Sequence, residues 1–358
     1  MRPEDAVVTF SGERLRLARF RAALTIRELA ARVGLTHTAI SQFENGHNRP
    51  TATVLTRLAL ATGVSVEFFA FNRRPVSKGG LDGVHFRSLR STSRQSRAHA
   101  WSWSEIVLDI TDVLEAYVRL PKTNIPLAPI SDHNGPAAAA NILRSAWGLP
   151  DGPIGHLVRH MEVNGVVVAR LEVADRGIDA FSHAEGPRPV AILGTDKGDA
   201  ARSRFDAAHE LGHLVCHPEA DAGGLQESQA HAFAAELLMP RSYFLQILPR
   251  RFDLGAYVHL KQEWGVSIAA LLYRAKSLKV ISDSAYRRAV MIMNKHYGRN
   301  NEPYPLRRPE MPTLLFSACQ VAENLGISLR QIATESCVSL EDLSAVIGNP
   351  DPRPAVSI

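Results

Sequence analysis

The stretch "RFDAAHELGHLVCHPE", residues 204–219, carries three histidines spaced four residues apart: His209, His213 and His217. On an α-helix, residues four positions apart lie on one face, about 40° apart and roughly 6 Å along the axis. His209 and His213 can therefore place two imidazole rings on one ion, whereas His217 lies farther round the helix. The pattern indicates either a metal site or a helix that happens to be rich in histidine.

Glu210, which directly follows the first histidine, favours the metal site. The order H-E-x-x-H is that of zincins, in which two histidines bind Zn²⁺ and the Glu takes a proton from the water that the metal acidifies. Helical angles place the two histidines at the border of an apolar face, where the floor of a cleft would lie. That face consists of Phe205, Ala208, Gly212, Val215 and Cys216. Gly212 costs roughly 1 kcal/mol relative to Ala inside a helix, which favours a close approach by another segment.

The third ligand is expected in "ESQAHAFAAELLMP", residues 227–240. Helical angles put Glu227 in the middle of an apolar face, and a buried carboxylate without a partner is costly unless a metal binds it. Glu236 points the opposite way and is expected to be a surface acid. We therefore predict Glu227 as the third ligand. The alternative is that Glu227 is only partly buried near the start of its helix.

A second informative stretch is "TIRELAARVGLTHTAISQFENGHNRP", residues 25–50. Thr25 and Glu28 can form a capping box, Gly34 can end the first helix in a tight turn, and Thr36 can cap the second helix. The stretches on either side also have helical periodicity. Two short helices joined by a glycine turn predict a helix-turn-helix unit, which commonly binds DNA.

The charge distribution agrees with a DNA-binding unit at this end. Residues 1–75 hold 11 Arg, no Lys and 6 acidic residues, so the whole formal net charge of +5 lies there. A local excess of one sign indicates a polyanionic partner. The alternatives are a solvated Arg-rich surface and a helical bundle that binds protein instead of DNA.

Residues 12–71 resemble the XRE (Cro-like) helix-turn-helix family, with "LAARVGLTHTAISQFENG" carrying the likeness. The resemblance implies binding to a double-stranded DNA operator, and we expect a homodimer. Ile26 stands where many members carry a Gln that contacts DNA, and Arg27 could replace that contact. Short polar side chains on the second helix suit base edges and phosphates. The expected DNA-contacting residues are Arg27, Thr36, His37, Thr38, Ser41, Gln42 and Arg49.

The stretches "RFDAAHELGHLVCH" and "ESQAHAFAAELLMP" together resemble the ImmA/IrrE family of metallopeptidases, with a likeness that extends over residues 135–305. The resemblance implies that His209, His213 and Glu227 bind Zn²⁺ and that Glu210 is the general base. It also implies a protein substrate, since family peptidases cleave a repressor in trans. His231 stands where Asn is common. His231 and Tyr243 are candidates for oxyanion support or for contacts around the ligands.

The whole chain is expected to be α+β. A five-helix, all-α helix-turn-helix domain (1–75) precedes a basic and Pro-rich connector (76–134), in which Arg87, Arg90, Arg94 and Arg97 recur at helical spacing. A zincin-like, mostly helical domain with a small β-sheet (135–250) and a helical C-terminal region (251–358) follow. The strands are expected in "GVVVARLEV" and "RPVAILG", joined through "GIDAFSHAEG".

Composition indicates a cytoplasmic protein without a membrane anchor. No run of about 18 apolar residues is present, and the first ten residues do not form a signal peptide. The three cysteines, Cys216, Cys319 and Cys337, follow no paired spacing and are expected to be free thiols.

The stretch "SLRQIATESCVSLEDLS" (328–344) aligns without gaps on "TIRELAARVGLTHTAIS" (25–41). Cys337 replaces Gly34, while Glu341 and Asp342 take outward positions of the would-be recognition helix. Acidic residues there repel phosphate. We interpret this stretch as a helical pair that packs or binds protein and does not read DNA; chance similarity is the alternative.

Three functions fit these patterns. The first is an operator-binding regulator with a zinc endopeptidase domain that cleaves a partner repressor. The second is a DNA-binding regulator whose zinc site senses or stabilises and never cuts. The third is an antitoxin that sequesters a toxin and represses its own operon.

Overall fold

A computed structural model describes residues 3–70, 74–77, 84–86, 93–128, 130–131, 135–171, 179–184, 186–195, 199–217, 224–298, 301–306 and 308–348. The α+β class is confirmed, because helices dominate these residues and a small sheet lies near the middle of the chain.

The predicted helix-turn-helix unit is confirmed. Thr25 and Glu28 form the capping box, Gly34 ends its helix in the left-handed conformation at φ 66°, and Thr36 caps the next helix through the Ala39 amide. The helices of this end of the chain are α1 (Pro3–Val8), α2 (Gly12–Arg21), α3 (Ile26–Val33), α4 (His37–Glu44), α5 (Ala52–Thr62) and a 3₁₀ helix (Val66–Ala70).

The prediction of a connector over residues 76–134 is wrong for its central part. Residues Arg94–Glu115 form the long helix α6, which Ser93 caps. Its start is polar and exposed, whereas Trp101, Ile106 and Ile110 farther along are buried. The first turns of α6 are rich in Arg and Ser and its large apolar side chains begin only after them, so the sequence pattern did not indicate a core helix. Arg87 and Arg90 of the expected basic repeat lie outside the described residues.

The sheet has the strand order β1-β3-β4-β2, formed by β1 (Val84–Phe86), β2 (Val167–Leu171), β3 (Ala180–His183) and β4 (Val190–Gly194). Strands β2 and β4 run parallel, and the other pairs are antiparallel. β2 and β4 were expected. The segment expected only to join them contains β3, whose short sequence with a Ser and a His lacks an apolar run.

The remaining helices are α7 (Pro136–Ala146), α8 (Leu157–Val163), α9 (Ala200–Cys216), α10 (Gly224–Leu238), α11 (Arg241–Ile247), α12 (Leu254–Trp264), α13 (Ile268–Ser277), α14 (Asp283–Tyr297), α15 (Leu314–Asn324), α16 (Leu329–Glu335) and α17 (Leu340–Ile347). Of these, α7 and α8 lie between β1 and β2 in the sequence, and the others follow β4.

The sheet separates two hydrophobic cores. Along β2, Val167, Ala169 and Leu171 face the core that contains α2–α6 and α15–α17, while Val168 faces the core that contains α7–α14. This alternation is the period of two that a strand buried on both faces requires. Within the expected helical C-terminal region (251–358), α12–α14 belong to the second core and α15–α17 belong to the first.

Helices α16 and α17 repeat the local geometry of α3 and α4. Ser328 and Ser339 cap them, and Cys337 has φ 55° where Gly34 has φ 66°. Asp342 is buried and forms an ion pair with Arg21 of α2. The interpretation as a helical pair that packs is confirmed, because the acid that would repel DNA is bound to the first helix-turn-helix unit instead.

A buried cluster of charges joins α2, α6 and the sheet. Arg14 Nη1 lies 2.5 Å from Asp109 Oδ2, and Arg74 contacts both Asp109 (3.0 Å) and Glu105 (2.7 Å). His183 of β3 lies 3.7 Å from Glu105. Burial alone would lower the pKa of Arg74, but Asp109 and Glu105 raise it above its ordinary value. The Arg74 guanidinium therefore stays charged inside the protein.

Candidate metal centre

Helices α9 and α10 pack closely where the histidines lie. A Cβ atom added at Gly212 would lie 2.9 Å from a ring carbon of Phe233 and 3.2 Å from the carbonyl oxygen of Ala230. Ala230 and Ala234 are fully buried in the same contact. The glycine thus permits the close approach that its position in the helix indicated, and this approach brings Glu227 of α10 towards the two histidines of α9.

The three expected ligands converge. The Nε2 atoms of His209 and His213 are 3.2 Å apart, and each lies 3.2 Å from a carboxylate oxygen of Glu227. All three donor atoms lie within 4.8 Å of one another. Two imidazoles and one carboxylate are a donor set that catalytic zinc sites use. The residues therefore fit the ion that the motif implies.

The protonation states also suit a metal site. Burial lowers the pKa of His213, which keeps its imidazole neutral and able to bind an ion. Burial would raise the pKa of Glu227, but hydrogen bonds from His209 and His213 lower it to about 2. Glu227 is therefore an ionised carboxylate at neutral pH.

The expectation that Glu227 is fully buried is wrong. It lies in the first turn of α10 and its side chain is 25% exposed, as in the alternative stated above. The expectation for Glu236 is also wrong: this residue is buried, forms an ion pair with Arg274, and accepts a hydrogen bond from the Arg241 amide at 2.9 Å. Its helical angle was correct, but α11 and α13 cover the face that was expected to meet solvent.

Glu210 is completely buried at the next position along α9. Its backbone carbonyl accepts a hydrogen bond from the Ser182 hydroxyl of β3 at 3.4 Å, which ties this turn of the helix to the sheet. His217, the third histidine of the run, is not among the clustered donors. Its Nε2 atom lies 2.9 Å from the Gln229 side-chain oxygen.

A cleft lies beside the cluster. Its lining includes His231, whose ring centroid lies 4.9 Å from that of Phe205 and 6.2 Å from that of Tyr273. Tyr243 is not among the lining residues; it packs against Trp264 at a centroid distance of 5.2 Å. The tyrosine of the cleft is thus Tyr273 on α13, which sequence reasoning missed because no motif places α13 beside α10.

The expected DNA-contacting residues lie on α3 (Arg27), on α4 and its cap (Thr36, His37, Thr38, Ser41 and Gln42) and in the segment after α4 (Arg49). Arg27, His37 and Thr38 are exposed, while Ser41 and Gln42 are half-buried. The Gln42 side-chain oxygen accepts a hydrogen bond from the Asn48 amide at 2.9 Å. Thr36 is engaged as the cap of α4, and Arg49 is exposed and donates to the Val8 carbonyl at 2.8 Å.

A helix-turn-helix unit and a metallopeptidase-like domain in one chain together support a DNA-binding regulator as the class of this protein. The helix-turn-helix family model matches residues 15–69, and the model of the IrrE N-terminal-like domain, a peptidase family, matches residues 161–276. The chain therefore contains one stretch that matches the helix-turn-helix family and a longer stretch that matches the IrrE N-terminal-like domain. No curated protein matches the chain in a sequence comparison. Within the part of the chain that the structure describes, no helix has the length and apolar character needed to cross a membrane.

Proposed function

We propose that this protein binds an operator through α4 and uses a Zn²⁺ centre at His209, His213 and Glu227 to hydrolyse a peptide bond in a partner repressor. The observation that carries the proposal is the convergence of these three donors, two of which lie on α9, the helix that also carries the buried Glu210. Hydrolysis of the repressor would release genes that it silences, so the two domains would serve one regulatory switch.

The residues of the chain have separate roles in the proposed hydrolysis. The imidazoles of His209 and His213 and the carboxylate of Glu227 would hold the ion, which would supply Lewis acidity when bound. The Glu210 carboxylate accepts a proton from the water that attacks the substrate carbonyl and then transfers it to the leaving amine. His231 lines the cleft and is the candidate to stabilise negative charge that develops on the carbonyl oxygen.

The proposal is tested with purified protein and a panel of purified candidate repressors. Cleavage should proceed with zinc, stop after treatment with a chelator, and resume when zinc is restored. Products should be identified by mass spectrometry. Cleavage that continues unchanged in the metal-free protein would contradict the proposal.

We expect the His213→Ala variant to lose most of its bound zinc, because two remaining protein ligands hold the ion far less well than three. Elemental analysis of the purified protein should give about one zinc per chain for the wild type. His217→Ala is the matched control, since it removes the neighbouring histidine of the same helix and should leave the zinc content unchanged. Equal zinc content in the wild type and in His213→Ala would contradict the assignment of the zinc site.

We expect Gln42→Ala to weaken specific operator binding by roughly 1–3 kcal/mol, because a glutamine amide can pair with a base edge in the major groove. Arg27→Ala should instead lower the affinity for all sequences and reduce the salt dependence of binding. Both are measured by titrating operator and unrelated duplexes at several salt concentrations. Binding that neither substitution alters would favour a protein-binding role for these helices.

A further inference from the structure

A cavity of about 770 Å³ lies between α9, α10 and α13, and we call it the α9–α10–α13 pocket. Phe205 and His231, both in its lining, stand four residues before His209 and four residues after Glu227. One helical turn is roughly 5.4 Å, so the pocket begins one turn away from the clustered donors on both helices. Its volume falls within the range of pockets that hold small ligands or peptide segments.

The charged groups of the pocket are already engaged within the protein. Arg274 pairs with Glu236, and Arg202 lies 2.8 Å from Asp179. Glu302 lies 3.0 Å from Lys261 and also accepts the backbone N–H groups at the start of α13. Asp199 caps α9, and Asp206 also has a polar partner. A charged substrate side chain would therefore have to displace an existing partner.

Apart from His231 and Ser267, whose hydroxyl caps α13, the rest of the lining is apolar or aromatic: Ala201, Phe205, Ala235, Met239, Ala269, Ala270 and Tyr273. Met239 is almost fully buried, whereas Tyr273 is half exposed and forms part of the wall together with the His231 ring. Covering this apolar surface is favourable when the group that covers it is also apolar, because both surfaces are then removed from water. The chemistry of the lining thus matches a bulky apolar or aromatic side chain.

We infer that the α9–α10–α13 pocket receives a bulky apolar residue of the protein substrate, next to the bond that is cleaved. This inference rests on the proposed peptidase function for the position of the bond, but the binding preference of the pocket does not require cleavage. The pocket thereby selects the cleavage site: segments with a leucine, methionine or aromatic residue would bind, and acidic or small polar segments would not.

Binding is tested first, in a form that does not depend on catalysis. Wild-type protein is labelled with ¹³C at its methionine methyl groups, and the Met239 signal is assigned with Met239→Leu. The peptide acetyl-Phe-Leu-amide should shift this signal, with an affinity roughly tenfold or more above that of acetyl-Asp-Ser-amide. Equal affinity for the two peptides, or no shift with either, would overturn the inference.

Two variants test whether the peptide that shifts the Met239 signal binds in the α9–α10–α13 pocket. Ala270→Trp fills the pocket and should abolish the Met239 shift, whereas Ala138→Trp places the same residue on an exposed position of α7 and should behave as the wild type. If Ala270→Trp fails to fold, Tyr273→Ala should lower the affinity for acetyl-Phe-Leu-amide instead. A Met239 shift that survives in a folded Ala270→Trp protein, or an unaltered affinity in Tyr273→Ala, would place the peptide elsewhere.

Cleavage then provides the second readout. A library of peptides from a digested proteome is incubated with the zinc-loaded protein, and the cut sites are sequenced by mass spectrometry. Leucine, methionine or aromatic residues should be enriched at one position beside the cut, and Ala270→Trp should abolish that enrichment. Cuts without such enrichment would overturn the inference. Apolar peptide binding without any cuts would contradict the proposed peptidase function and leave the binding preference standing.

Discussion

Glu210→Gln should leave the partner repressor uncut while zinc content and operator binding stay at wild-type levels. Glutamine has the size and shape of the glutamate side chain but cannot accept a proton, and loss of a general base typically costs about 10²–10⁴-fold in rate. The half-life of the repressor should be followed by pulse-chase in cells that carry either form, with and without DNA damage. Glu323→Gln, which changes an exposed acid of α15, is the matched control and should act as the wild type.

The same comparison separates the peptidase from a regulator whose zinc site only senses or stabilises. Glu210 is not one of the three clustered donors, so its loss should not release the metal. Equal repressor half-lives and equal transcription for wild type and Glu210→Gln under every condition would refute catalysis. The zinc site would then have a structural or regulatory role.

Asp109→Ala should destabilise the N-terminal core by about 3–5 kcal/mol, the usual cost of removing one partner of a buried ion pair. Asp109 is completely buried and contacts the guanidinium groups of both Arg14 and Arg74. The substitution leaves two positive charges without their shared carboxylate in an apolar interior. The measurement is the shift of the urea unfolding transition, followed together with operator binding, because α2 packs on α6.

Asp283→Ala is the control for this second prediction. Asp283 is 66% exposed and lies 3.4 Å from Lys276, so its removal should cost no more than about 1 kcal/mol, as for other surface pairs. A loss of stability in Asp109→Ala that is no larger than in Asp283→Ala would mean that the buried cluster does not hold α2 to α6.

Local signals in the sequence predicted the helix-turn-helix unit well. Thr25, Glu28, Gly34 and Thr36 act on backbone groups within a few residues of themselves, so their effects do not depend on the rest of the fold. The spacing of His209 and His213 is likewise a property of a single helix. Gly212 correctly indicated a close contact, but its position alone did not identify Phe233 as the contacting residue.

The wrong or missing predictions concern residues whose surroundings are formed by segments far away in the sequence. Glu236 has the helical angle of a surface residue, yet Arg274, which is 38 positions away in the chain, makes it a buried ion-pair partner. β3 has no apolar pattern of its own and exists because β1 and β4 pair with it. Tyr273 enters the cleft because α13 lies beside it, and nothing in its own sequence shows this.

The core that α2–α6 share with α15–α17 sets the order in which the chain can fold. Arg21 and Asp342 are 321 positions apart, and contacts of such separation carry a high loop-closure cost. A ribosome releases α2–α6 long before α15–α17. Until then the apolar faces of α6 and β2 that these helices cover are open to water. The helix-turn-helix unit is thus made well before the helices that complete its core.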